Sequence, residues 1–232
     1  MLILSVDTSA IASAALLTGE GQILRAFATE DTRTHAEVLA PGIRALLDEA
    51  AVAPAELDSL VVGVGPGPFT GLRSGIATAR ALAFAWDKPL HGVMSLDAVA
   101  AQAAPAARAA GQPEYIVATD ARRKEVYWAR YGTAGSAVMG TAGDAVLPEL
   151  LDGPHVGPAS EVPPLPAYGR GAGLYPEQLA AVAGFEGVQP TAEALGRTAA
   201  ARLARGLPLL DTTPLYLRES DAKVPGPRKR AL

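Results

Sequence analysis

The chain contains no cysteine and only three histidines. Thiolate catalysis, cysteine-ligated zinc and disulfides are therefore excluded, and an all-histidine metal site has too few ligands to draw on. Positive charge is also short: the formal net charge is −4, and an acidic chain is a poor candidate for binding nucleic acid by itself, since neutralising phosphates needs clustered Lys and Arg. Long apolar runs are missing. No stretch approaches the roughly 18 consecutive apolar residues of a membrane span, and Met1-Leu2-Ile3-Leu4 lacks the basic leader and sustained apolar core of a signal peptide. No membrane association is expected, and the cytoplasm is the default location.

What is present is ordinary globular material: 232 residues, 49% hydrophobic and 19% charged, enough for one large domain or two of about 100 residues each. Leu2-Ile3-Leu4-Ser5-Val6 has a buried-strand pattern that stops at the short polar residues Asp7-Thr8-Ser9. Residues 12–17 and 23–28 give two more strands around a turn at Gly19-Glu20-Gly21-Gln22. Thr34 and Glu37 fit a capping box for a helix carried by Val38, Leu39, Ile43, Leu46 and Leu47, which Pro41 should kink or loosen. Pro54 suits a short helical turn. A strand over 60–64, an alanine-rich helix over 72–86, a strand over 90–94 and a helix over 96–104 capped by Ser95 complete a βββ-α-β-α-β-α half.

Residues 105–113, rich in Ala, Gly and Pro, mark the expected boundary. Beyond it residues 115–119, 126–131 and 137–139 read as a second meander, with Asp120-Ala121-Arg122-Arg123-Lys124-Glu125 as its first turn. A second three-stranded opening implies an internal structural repeat. Further on, the expectations are a helix over 144–151, strands over 155–157 and 165–168, and helices over 176–183 and 192–204, the last capped by Thr191. Residues 224–232, with Arg228-Lys229-Arg230, form a basic and mobile tail. The expected division is thus an N-terminal subdomain at 1–104, a linker at 105–113, a C-terminal subdomain at 114–223 whose last helix packs back on the first half, and the tail.

The stretch Gly65-Pro66-Gly67-Pro68-Phe69-Thr70-Gly71-Leu72-Arg73 invites comparison with phosphate-binding loops. A Walker loop needs lysine and then Ser or Thr after its last glycine, a Rossmann loop needs G-x-G-x-x-G, and neither spacing is met. Pro66 and Pro68 also remove two N–H groups from any anion nest, so the stretch reads as a structural turn that launches a helix. His35 and Glu37 lack a second histidine at helical spacing, and His91 and His155 have no acid or nucleophile beside them. Asp7 and Asp120 each sit in the first turn of a meander, one per half. In a duplicated fold they face one another across a cleft and orient phosphate-bound metal or water, or else they simply close their turns. Arg122-Arg123-Lys124 reads as a solvated turn.

Taken together, Ser5-Val6-Asp7-Thr8-Ser9, Thr34-His35-Ala36-Glu37, the 65–73 loop, Pro89-Leu90-His91-Gly92-Val93-Met94-Ser95-Leu96-Asp97-Ala98, Asp120 to Tyr127 and Tyr216-Leu217-Arg218 closely resemble the TsaB/YeaZ family of the glycoprotease-like TsaD group. The resemblance covers nearly the whole chain, although Pro68 stands where the family commonly has Ser. It implies a duplicated actin-like ATPase (ASKHA, ribonuclease H-like) α/β fold with two βββαβα-type halves. It implies a non-catalytic scaffold in formation of threonylcarbamoyladenosine (t6A) at position 37 of ANN-decoding tRNAs, as heterodimer with a TsaD-type catalytic subunit. A TsaE-type ATPase and a TsaC-type threonylcarbamoyl-AMP synthase belong to the same route; the resemblance further implies that tRNA is met only indirectly and that the chain alone can pair as a homodimer. By position, the two metal-binding histidines of TsaD-like proteins fall on Ser95 and Val99, so no metal of its own and no catalytic residue are expected. The alternative is a weak metal-independent ATPase or a glycoprotease-type peptidase homologue. Weak ATP or ADP binding would use Asp7, Thr8, Ser9, Asp120, Gly169, Gly171 and Gly173. The family's partner face lies on the first two helices, here His35, Glu37, Val38, Arg73, Ile76, Ala77, Arg80 and Ala81.

Overall fold

The computed structural model describes residues 1–29, 35–133 and 147–218, with the side chains of residues 35 and 36 outside that set. Strands β1 (Leu2–Asp7), β2 (Ser13–Thr18) and β3 (Ile23–Ala28) form an antiparallel meander; α1 (His35–Glu49) leads to β4 (Ser59–Gly63), α2 (Phe69–Trp86) to β5 (Leu90–Val93), and α3 (Ser95–Ala109) follows. The second part repeats the plan with β6 (Glu114–Asp120), β7 (Glu125–Gly132), β8 (Glu149–Pro158), β9 (Pro166–Tyr168), α4 (Arg170–Leu174), β10 (Ala180–Ala181) and α5 (Ala192–Leu203).

The first sheet runs β3-β2-β1-β4-β5 and the second β10-β9-β6-β7-β8. Counted from the start of each half, both read third, second, first, fourth, fifth. In both, the first three strands are antiparallel and the last two join in parallel. The repeat is therefore one of topology, the duplicated α/β arrangement of an actin-like fold.

Alternation along β1 sorts its side chains between two layers. Leu4 and Val6 join Leu39, Ile43, Leu47, Leu72 and Ile76 beneath α1 and α2. Ile3 points the other way, with Leu17 and Val61, onto Ala194, Leu195, Ala199 and Ala200 of α5. The helices that close the halves are exchanged: α5 covers the first sheet, whereas the alanines of α3 (Ala100, Ala103, Ala104, Ala107) lie on Tyr115, Tyr131 and Tyr168 of the second. Small residues opposite large rings let helix and sheet approach closely. Each buried tyrosine hydroxyl still finds an acceptor, at Ala100 O (2.8 Å), Asp97 Oδ1 (2.9 Å) and Gln112 Oε1 (2.8 Å) respectively.

Several expectations need correction. Helix α3 continues through Pro105 to Ala109, because its buried alanines keep it pinned to the second sheet; the linker expected at 105–113 shrinks accordingly. Helix α2 starts at Phe69, three residues early, directly after Pro68. Ser95 does not cap α3: Met94 holds the cap position without a side-chain bond, and the Ser95 hydroxyl goes to Asp7. Residues 149–151 are strand rather than helix, and the helix expected over 176–183 is a turn followed by the short strand β10. Helix α1 is continuous through Pro41. Thr34, the strand expected over 137–139 and the tail 224–232 lie outside the described residues.

Candidate functional site

The turn after β1 is sealed from solvent. Asp7 and Thr8 are fully buried and Ser9 nearly so. Asp7 Oδ1 accepts from Ser9 N (2.9 Å) and Ser9 Oγ (2.7 Å), and Oδ2 from Ser95 Oγ (2.8 Å). Burial nevertheless dominates these bonds and holds the carboxyl above its ordinary range. Thr8 Oγ1 donates to Gly71 O of α2 at 2.8 Å. Glycines make this approach possible: a Cβ on Gly63 would overlap the Asp7 carboxylate, one on Gly67 would stand 2.8 Å from Ser9 O, and one on Gly75 would overlap the Thr8 side chain. The 65–71 loop is shaped around the β1 turn.

Ser95 and Val99, where the resemblance places a metal-binding histidine pair in TsaD-like proteins, do not fit a metal. The Ser95 hydroxyl is committed to Asp7 and Val99 lies in the core beneath the second sheet. Among the described residues no three His, Cys, Asp or Glu side chains come together.

Between the two sheets lies a small cleft of about 90 Å³, lined by Ser9, Ala10, Ile11 and Pro68 from one side and Thr119, Asp120, Arg122, Arg170 and Gln189 from the other. Of the residues expected to hold a nucleotide, Ser9 and Asp120 meet here; Asp7 and Thr8 lie behind the wall. Asp120 accepts from Arg122 N at 2.7 Å and pairs with its guanidinium at 3.1 Å. Gly169, Gly171 and Gly173 do not line the cleft. Cβ atoms on them would stand 2.5 Å from Ala118 O, 2.8 Å from Thr119 N and 2.4 Å from Glu186 O, so close packing on β6 explains Gly169 and Gly171, and close packing on the segment after β10 explains Gly173. Arg170 was hidden in sequence by the glycines around it, and nothing local marks Gln189.

The outer face of α1 and α2 is a different kind of surface. Ala77 and Ala81 are exposed and Phe84 is 91% exposed; a separate groove of about 650 Å³ lies between α1 and α2, lined by Ile43, Leu47, Val52, Leu82 and Trp86 among others. Glu37 is exposed and Val38 half-buried, while His35 opens α1 with its side chain outside the described residues. Ile76 is a correction: at 3% exposure it faces inward to β1 and β4, because it falls on the same helical stripe as Leu72, Ala79 and Ala83. Arg73 and Arg80 are exposed but engaged by the chain's last described segment. Arg73 Nε donates to Tyr216 Oη (3.0 Å) and its guanidinium lies 5.4 Å from the Phe69 ring; Arg80 reaches Thr212 Oγ1 (2.9 Å) and O (2.8 Å). The same segment pairs Leu210 with Gly92, bonds Leu215 N to Val64 O at 2.8 Å and ends at Arg218, which donates to Ala121 O at 2.8 Å and pairs with Glu125. It straps α2 and the 65–71 loop to the second sheet. Phe84 and Trp86 were legible as apolar residues, but which of them faces out depended on the packing.

These features define a duplicated α/β protein with a sealed β1 carboxylate, a narrow inter-sheet cleft and an open helical face. The family model described as TsaD: tRNA N6-adenosine threonylcarbamoyltransferase matches residues 23–161. Two solved structures match over nearly the whole chain. An uncharacterized protein with similarity to peptidase YEAZ from Pseudomonas aeruginosa is 33% identical, with a TM-score of 0.73 over 94% of this chain and 99% of that one. YeaZ from Pseudomonas aeruginosa is 32% identical, with a TM-score of 0.70 over 93% and 100%. Among curated proteins, an uncharacterized protein of Mycobacterium tuberculosis is 39% identical over 95% of this chain and 93% of its own length. The Escherichia coli tRNA threonylcarbamoyladenosine biosynthesis protein TsaB is 33% identical over 65% and 64%. The chain belongs to the TsaB/YeaZ family of the TsaD group.

Proposed function

We propose that the chain is a non-catalytic partner subunit in t6A formation on tRNA, working in the cytoplasm and docking through α1 and α2 on a TsaD-type catalytic subunit. The observation that carries this reading is the outward face of α2, with Ala77, Ala81 and the ring of Phe84 exposed on it, in a chain whose relatives include proteins named for threonylcarbamoyladenosine biosynthesis. Exposed alanines let a second helix come close, and a projecting aromatic supplies the kind of apolar area that an interface centre buries. TsaE-type and TsaC-type proteins act in the same route, and a homodimer through the same face is its counterpart when the partner is absent.

A sealed, protonation-prone Asp7 cannot reach a substrate, and Ser95 and Val99 supply no imidazole. The cleft is several times smaller than pockets that bury nucleotide-sized ligands, roughly 300–1,000 Å³, so ATP or ADP would be held weakly and at its mouth.

Ala77→Glu and Ala81→Glu test the docking face. Each is expected to abolish co-purification with the TsaD-type subunit while leaving the far-ultraviolet circular dichroism unchanged; normal binding by both variants overturns the assignment. Robust ATP or peptide turnover by the purified chain alone overturns the non-catalytic reading in favour of an ATPase or peptidase.

A further inference from the structure

Residues 210–218 leave the first sheet and end on the second. Leu210 pairs with Gly92 at the β5 edge, and Leu215 N donates to Val64 O at 2.8 Å. The Leu215 side chain packs against the core beneath α1 and α2 and also against the core between α3 and the second sheet. Among the described residues it alone belongs to both, a wedge where the halves meet.

This strap holds both walls of the inter-sheet cleft from behind. On one side the Tyr216 ring packs on Phe69, centroids 4.6 Å apart, directly after the cleft-lining Pro68. On the other, Arg218 donates to Ala121 O and pairs with Glu125, and Ala121 lies between Asp120 and Arg122 of the opposite wall. Across the cleft itself Tyr127 Oη reaches Gly67 O at 3.4 Å, the long limit of a hydrogen bond.

The strap is also fastened to the outer face of α2. Arg73 donates to Tyr216 Oη at 3.0 Å, and Arg80 to Thr212 Oγ1 and O at 2.9 and 2.8 Å. Both arginines are exposed and share the outward stripe of Ala77, Ala81 and Phe84 at helical spacing. Their hydrogen-bond partners here are a phenol, a hydroxyl and a carbonyl. The neighbouring Asp211 carboxylate accepts from Thr213 N at 2.8 Å and feels Arg80 only as a distant charge. A carboxylate presented from outside binds a guanidinium about twice as strongly as neutral acceptors do, so these fastenings are open to takeover.

We infer that the strap is a latch: it holds the cleft shut, and carboxylates of a partner release it by taking Arg73 and Arg80. The inference rests on the proposed docking through α2. Shut, the cleft of about 90 Å³ takes nothing of nucleotide size. Released, the halves keep their seam along α3 and α5 and part by a hinge motion. Docking on the outer face and access to the cleft are then coupled through a segment that touches both.

The test is the distance across the cleft, read by electron paramagnetic resonance from spin labels on Thr70→Cys and Gly187→Cys. The chain has no cysteine of its own, both positions are exposed, and a Cβ on Gly187 meets open space. In the chain alone a longer distance should be a minor population, below about 10%. Arg80→Ala with Tyr216→Ala unfastens the latch and should make it the major one. Arg80→Lys with Tyr216→Phe keeps a cation for Thr212 and a ring on Phe69, so it should retain the wild-type distance; mere loss of packing would not give that contrast. Saturation with the TsaD-type subunit should lengthen the distance in the wild-type chain as well. An unchanged distance in both the alanine pair and Arg218→Ala overturns the latch. Assembly with the subunit without lengthening overturns release by docking and leaves docking itself standing. Failure of the wild-type chain to assemble, with the alanine pair open, removes the docking reading and leaves the latch.

Discussion

The two halves share a strand order and differ in what covers their outer faces. Between the third and fourth strands the first half has the 15-residue α1 and the second only the 3-10 turn Ala159–Glu161; between the fourth and fifth it has the 18-residue α2 against the five-residue α4. Yet the second sheet is closed: Ile116, Ala118 and Val126 are buried by Ala159, Val162, Ala172 and Leu179. Two long helices are therefore more than this sheet type needs for a sealed outer face. What they add to the first half is an outward surface, and that is where the docking face lies.

The comparison breaks hardest where the first half is packed around its β1 turn. Gly63→Ala puts a methyl into the space of the buried Asp7 carboxylate, and neither group can move without opening the contact with Ser95. A loss of about 3 kcal/mol is expected from overpacking and a disturbed buried carboxyl, read by urea denaturation. A loss under about 1 kcal/mol would show that the first half tolerates looser packing there than its geometry states.

A second test addresses the seam, where α3 of the first half lies on the second sheet. Asp97 accepts from Tyr131 Oη at 2.9 Å, with Arg202 of α5 also nearby, and burial raises its carboxyl to about 6. A folded value above the unfolded one of 3.8 means that the folded state holds the proton more tightly. This contribution to stability is complete below about 4 and is lost as pH rises through about 6. Between pH 5 and 7 the native chain should lose about 1 kcal/mol from this group. Asp97→Asn keeps an acceptor for Tyr131 and should remove that slope. An unchanged pH dependence in the variant would show that Asp97 does not control the seam.

Much of this was legible in sequence, and the divide follows the range of the interactions. Each strand of the first meander carries its own apolar signature and is bounded by turn residues, so β1, β2 and β3 could be read locally. The helix stripe of Leu39, Ile43, Leu46 and Leu47 was equally plain. Ser95 was misread because its partner is Asp7, 88 positions away, and a serine before an apolar run looks like a cap. Ile76 was misassigned because a small-residue helix gives little sign of which side is buried. In the second half β10 is only two residues long, too short to outweigh helix-forming neighbours. The narrow cleft was half legible, since Asp120 and Ser9 sit in visible turns while Arg170 and Gln189 arrive by tertiary packing.

The exchanged helices give a smaller contrast. Helix α3 begins without a side-chain cap and is anchored by Ser95, whereas α5 begins with Thr191 Oγ1 accepting from Ala194 N at 3.3 Å, and its first N–H is pinned to Ser13 Oγ at 2.9 Å. Thr191→Ala should cost about 1 kcal/mol, seen as a lower urea midpoint with unchanged slope. A larger loss would mean that Ser13 cannot hold the start of α5 alone.

The smallest effect on stability should come with the clearest effect on binding. Phe84 is 91% exposed, so its ring gives up little to solvent on unfolding, and Phe84→Ser should change stability by less than about 0.5 kcal/mol. Ile76, two turns earlier on the same helix and buried against Leu72 and Leu4, provides the opposite control: Ile76→Ser should destabilise the fold by several-fold more. If the outward helices of the first half exist to present a surface, Phe84→Ser weakens association with the TsaD-type subunit at least tenfold, because a ring left in water by the monomer is the apolar area that an interface would bury. Full affinity in that variant would separate the surplus helical layer from partner binding and leave the asymmetry between the halves without its functional explanation.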